Sequence, residues 1–279
     1  MQQKFSKKEL ERLGCTEEEI KLVMEYQRIF PILQEDNESY IDLSNLHKSL
    51  CVSKDYTSWV KQTFEILDIK RDDYKLTYDY VGERKNVKKS IYFVKISLAK
   101  EIAMLAGTRG GHTSKELKES SKTARRFFIL MEDLIKRNRE WWKIRNPQRV
   151  NYKPMCDSIS ESIHRIFGRY GDEHDYRREA DIINIIAVGS RAQSIKNYLG
   201  IGTNVITRDN LLADYNEKIS FLQEQNILLL GLDMPIIQRI KMLINFFDVK
   251  YPNAKPIQDY HDRDYMIQAR ENLINELSN

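Results

Sequence analysis

Cysteine, proline and glycine are all scarce in this chain of 279 residues, which holds 3, 6 and 11 of them. The cysteines, Cys15, Cys51 and Cys156, lie far apart, which excludes a disulfide framework and any closely spaced thiolate site. The five histidines (His47, His112, His164, His174, His261) contain no His-x-x-x-His pair, so no zinc site is expected, and no other cofactor is implied. No apolar run approaches the roughly 18 residues that a membrane span needs. The opening residues Met1-Gln2-Gln3-Lys4-Phe5-Ser6-Lys7-Lys8 run into charged, helix-like sequence and not into an apolar signal core. The expectation is a cytoplasmic protein with no membrane partner.

Catalytic motifs are missing as well. The glycine-rich run Gly107–Ser114 lacks the lysine-serine/threonine ending of a phosphate-binding loop and follows a helical stretch, so it reads as a turn between helices. Asp72-Asp73 and the group Asp172, Glu173 and Asp175 have no lysine or histidine pattern around them and read as solvated acids. No serine sits in a nucleophile-elbow context. The chain is therefore expected not to be an enzyme.

What is present is an ordinary globular balance, with 41% hydrophobic and 31% charged residues and length for about two domains. The net charge is only +4, but it is unevenly spread. Residues 37–150 carry 24 Lys/Arg against 15 Asp/Glu, while the remainder carries 21 against 26. A basic middle between acidic flanks suits an anionic partner, either nucleic acid or an acidic protein surface; a lysine-rich solvated face is the alternative.

Periodicity predicts two short helices between Ser6 and Leu33, with Thr16 and Glu19 forming a capping box. A short strand at Tyr40–Leu43 leads to a helix capped by Ser44, then to a second helix capped by Ser53 or Asp55. Tyr74–Val81 and Ser90–Ile96 are rich in β-formers and predict a hairpin whose tip carries Arg84, Lys85, Lys88 and Lys89. Ser97 is read as the cap of the next helix, and a long helix is expected over Ser114–Arg139. The two prolines in 146–154 mark a connector. Helices follow over Met155–Tyr170, Arg177–Val188, Ala192–Leu199, Asn210–Leu230 and, capped by Asp233, Met234–Phe247, with a last one at Tyr265–Leu277.

The fold class expected is α+β. It is mainly helical, with a small antiparallel hairpin or sheet in a winged-helix-like N-terminal domain and an all-α C-terminal domain. The expected divisions are a helical extension (1–36), a first domain (37–145), a linker (146–154), a helical domain (155–250) and a tail (251–279). Candidate contacts to a partner or to nucleic acid are Arg84, Lys85, Lys88, Lys89, Arg109, Arg125 and Arg126. Adjacent Trp141 and Trp142 are not expected to share one core, and Leu228, Leu229 and Leu230 make a helix apolar all round. These five are candidate interface residues, with ordinary core as the alternative.

Ile41-Asp42-Leu43-Ser44-Asn45-Leu46-His47-Lys48-Ser49-Leu50, followed by Asp55-Tyr56-Thr57-Ser58-Trp59-Val60-Lys61, resembles the opening of the AntA/AntB antirepressor domain. Tyr92–Ile96 with Ser97-Leu98-Ala99-Lys100-Glu101-Ile102-Ala103-Met104 is similar to that family's strand and following helix, and Ala124–Ile129 to its final helix. The resemblance covers residues 39–137. It departs at Gly110–Ser121, which looks enlarged, and at Leu105-Ala106-Gly107, where charged residues are common. Tyr176–Gly189, Gly200-Ile201, Thr207-Arg208-Asp209 and Asn226–Leu232 resemble a second segment found in phage antirepressors. The resemblance implies a phage or prophage protein of a bacterial host cell. Its partner would be a phage repressor, whose release from the operator turns on lytic genes, and it would self-associate. Related phage domains of similar layout bind DNA, which is the alternative function.

Overall fold

The computed structural model describes residues 2–35, 38–81, 87–108 and 114–278, with the main chain alone at 80, 81, 87–89, 148 and 151. The chain divides into two compact units, Met1–Asn138 and Arg139–Asn279. The fold class is the one expected, α+β and mainly helical, with a small antiparallel sheet in the first unit and helices in the second.

Capping chemistry defines the first two helices. Ser6 and Glu9 close a capping box on α1 (Lys7–Arg12), and Thr16 and Glu19 do the same on α2 (Glu17–Tyr26). Each box satisfies two N-terminal amides that no helical carbonyl can reach. After α2 the chain does not continue as a helical extension. It turns at Pro31 into β2 (Ile32–Glu35), which pairs with both β1 (Gln2–Gln3) and β3 (Glu38–Asp42). The first residues are therefore part of the sheet, a correction to the helical extension expected over 1–36.

Asp42, not Ser44, caps α3 (Leu43–Ser49), accepting from the Ser44 amide at 2.7 Å. Asp55 caps α4 (Tyr56–Ile66), as one of the two expected choices. A 3-10 turn at Arg71–Asp73 leads into β4 (Tyr74–Val81) and β5 (Val87–Lys95), the expected hairpin. Among the described residues the strand order is β1-β2-β3-β5-β4, all antiparallel, so β4 forms one edge. Ser97 lies inside α5 (Ile96–Thr108) and is not its cap.

The core of this unit follows from alternation. Ile32, Ile41 and Val94 share one sheet face through the β2–β3–β5 register, and all are buried. Leu43, Leu46 and Leu50 of α3 and Ile102, Ala103 and Ala106 of α5 are buried in the same unit. Phe127 and Phe128, from the start of α6 (Lys115–Phe167), complete it, with Phe30 meeting Phe128 edge-on at 5.1 Å. Gly107 is required here, because a Cβ at this position would lie 2.9 Å from the Cβ of Ser121, whose hydroxyl donates to the Ala103 carbonyl.

In the second unit α6 runs through the stretch expected to be a linker, with Pro147 and Pro154 inside the helix. A proline there removes a main-chain donor and costs about 3 kcal/mol. Anchors on both sides offset this. Trp141 is buried and donates its indole N–H to the Leu211 carbonyl at 2.9 Å, while Met155, Ile159 and Ile163 enter the core.

That core is closed by α7 (Glu173–Val188), α8 (Ala192–Tyr198), α9 (Ala213–Gly231), α10 (Ile236–Lys250) and α11 (Arg263–Ser278). Helix α7 ends at Gly189, whose φ of 76° is the left-handed cap that glycine adopts without strain. Asp233 does not cap α10. It too is left-handed, at φ 51°, and is gripped by Arg165 through three hydrogen bonds of 2.8–3.0 Å. The segment after 251 is no loose tail: Ala254, Ile257, Met266 and Leu273 are buried, and Arg270 donates to the Ile186 carbonyl at 2.6 Å.

Candidate functional site

The segment from β3 to α5 is organised by aromatic rings. Trp59 of α4 is buried, with His47 of α3 at 5.0 Å and Tyr56 at 6.5 Å between ring centres. Phe64, Tyr74 and Tyr92 form a triangle with centres 4.9–5.4 Å apart, which fixes α4 against the hairpin. The Tyr56 hydroxyl is pushed well above the ordinary phenol range, by burial first and by the nearby Asp42 charge second, so it remains neutral. His47 faces the Lys54 carbonyl at 2.8 Å, tying the α3–α4 turn together. The rings lock the helix pair to the hairpin.

Of the expected partner-contact residues, Arg125 and Arg126 have described side chains. Arg84, Lys85 and Arg109 lie outside the described residues. Lys88 and Lys89 stand on β5 opposite Tyr80 and Asp79, and their side chains lie outside the description. Arg125 is half-buried and Arg126 exposed on α6, while the neighbouring Phe127 and Phe128 are core.

The expected interface residues divide. Trp141, Leu229 and Leu230 are buried within the second unit and are not available at its surface. Trp142 is half-buried and meets Trp141 edge-on at 4.8 Å, so adjacent indoles do pack together. Leu228 is 63% exposed and, one turn on, Leu232 is 72% exposed.

Two features of the second unit were not anticipated. The first is a buried ionic cluster. Both terminal nitrogens of Arg239 donate to the two carboxylate oxygens of Glu179 at 2.6 Å, and Asn226 bridges the pair. The sequence signal was weak, since each of these residues stands among other polar ones in its helix: Glu179 beside Arg178 and Asp181, Asn226 beside Gln225, and Arg239 beside Gln238.

The second is a cavity of about 450 Å³. Arg145, Arg149 and Tyr152 line one side from α6, at helical spacing that places them on one face. Ala180 and Asn184 of α7 and Ala192 of α8 form another wall. Ile206, Thr207 and Arg208, around a 3-10 turn at Thr207–Asn210, close it. Arg145 is buried and bonded to Asp209 at 2.7 Å. No described carboxylate pairs with Arg208. Burial pushes its guanidinium down to about 10, and the positive charge of Arg145 adds to this. The α6 face was hidden in the sequence because Pro147 falls within it and suggested a connector.

Asp172, His174 and Asp175 offer atoms within 4.8 Å of one another, the spacing of a metal site. The acids are already engaged: Asp172 caps α7, and Asp175 accepts from Arg169 at 2.6 Å and from Arg178 at 3.3 Å. The cap and the two arginines account for both acids.

Among the described residues no helix is long and apolar enough to cross a membrane. Residues 41–108 match the model of the AntA/AntB antirepressor family, a regulatory, non-enzymatic family. The match begins in β3 and ends with α5, so it coincides with the ring-locked segment. No curated protein matches the chain.

Proposed function

We propose that the protein is a phage antirepressor of a bacterial host's cytoplasm, which binds a repressor protein and frees its operator so that lytic genes are expressed. The match of residues 41–108 to the AntA/AntB antirepressor family carries this reading. A basic stretch over 37–150 and a hairpin at a sheet edge support a surface that works by contact. The contact residues proposed are Arg84, Lys85, Lys88, Lys89, Arg109, Arg125 and Arg126. A protein that binds only free repressor lowers operator occupancy by mass action, without any chemical step. Repressor-bound operator DNA, titrated with this protein, is expected to lose its repressor; operator still occupied at saturation refutes the proposal.

Direct duplex binding is the second reading, supported by the same basic excess and by the helix pair followed by a hairpin. Self-association belongs to the first reading and narrows to the exposed Leu228 and Leu232. Light scattering of the full chain against Leu228→Glu reads it out, and an unchanged mass removes this surface as the interface.

A further inference from the structure

We propose that the cavity between α6, α7 and Arg208 is a binding site for a small organic anion, a phosphate monoester or carboxylate carried on an apolar or aromatic body. The volume of about 450 Å³ falls within the range of small-ligand sites. Its walls supply both kinds of contact such a molecule needs. Ala180, Ala192 and Ile206 are apolar, and Tyr152 offers an aromatic face. Arg145, Arg149 and Arg208 bring three positive charges, of which Asp209 neutralises the one on Arg145.

Arg208 is the centre of the argument. A half-buried guanidinium beside a second cation, with no described carboxylate on it, is a less favourable arrangement than the same group in open water. An anion would remove that penalty, and the planar fork of donors matches the oxygens of a phosphate or a carboxylate. Arg145 is already oriented by its bond to Asp209, and Arg149 stands exposed, where it meets an entering anion. The charge excludes cationic ligands, and the apolar walls favour an organic anion over a bare inorganic one.

The test is isothermal titration of the full-length protein with four probes: adenosine monophosphate, adenosine, benzoate and inorganic phosphate. Saturable binding of adenosine monophosphate, benzoate or both is expected, with adenosine inert and inorganic phosphate weaker. The stronger of the two organic anions tells phosphate from carboxylate. Arg208→Gln and, separately, Ala192→Leu, which fills the cavity without touching its charge, are each expected to weaken binding at least tenfold. Folding of both variants is checked by their urea midpoints. Absence of binding by both organic anions overturns the proposal, and so does binding that survives either substitution in a folded variant.

Discussion

Arg239 grips Glu179 through two parallel hydrogen bonds of 2.6 Å, and both side chains are enclosed in the core of the second unit, 4% and 2% exposed. Removing one member leaves the other charged, buried and unpaired, which is far worse than never having built the pair. Glu179→Ala is expected to lower stability by about 3–5 kcal/mol. Replacing the pair together with Met and Leu is expected to restore most of the loss. Urea unfolding of the parent and the two variants checks both statements.

Asp175 makes a pH-dependent contribution. Hydrogen bonding from Arg169 holds its carboxyl below the ordinary value of 3.8, so the unfolded chain takes up this proton first as the pH falls. The stabilisation is complete above about pH 5 and is lost as acid passes through 3.8 and below. Asp175→Asn is expected to be less stable than the parent at pH 7 and to lose less between pH 6 and pH 3. Equal acid sensitivity of the two proteins in urea melts contradicts this.

The Gly107 position is predicted to tolerate no side chain while Ser121 is present, because the two Cβ atoms would be 2.9 Å apart. Gly107→Ala is expected to cost about 1–3 kcal/mol, the range for overpacking a filled core. Adding Ser121→Gly opens the space and is expected to recover part of the loss, despite ending the bond to Ala103. A double-mutant cycle in denaturant measures the coupling.

If the hairpin lies on duplex DNA, its cations set the salt dependence. Replacing Arg84, Lys85, Lys88 and Lys89 by Gln is expected to make the slope of log affinity against log salt shallower by about 3–4. Anisotropy titrations between low and moderate salt give the slope. No duplex binding by the parent at low salt removes the DNA reading and leaves the antirepressor reading untouched.

Local chemistry was legible in the sequence wherever a few neighbouring residues decide the outcome. Thr16 with Glu19 announced a helix start, alternating β-formers announced the hairpin, and Asp55-Tyr56-Thr57-Ser58-Trp59 carried the family resemblance. Readings failed where distant partners decide. Pro147 and Pro154 look like helix breakers, but Trp141 and Met155 are buried on either side and hold the helix in place. Asp233 has the chemistry of a cap, but Arg165, 68 residues away in sequence, claims its carboxylate. The cavity was invisible for the same reason, since Arg145, Ala180 and Arg208 become neighbours only in the folded chain.

Gln27 accepts from the Phe5 amide at 3.0 Å and donates to the Phe5 carbonyl at 3.1 Å, a buried two-way pairing made by one side chain. The carboxamide thus imitates a neighbouring strand, completing a stretch of main chain that has no strand beside it. Such mimicry requires a group that gives and takes at once, which glutamate, leucine and lysine do not. A library randomised at this codon should return glutamine almost alone, though nothing in the surrounding sequence marks the position as special.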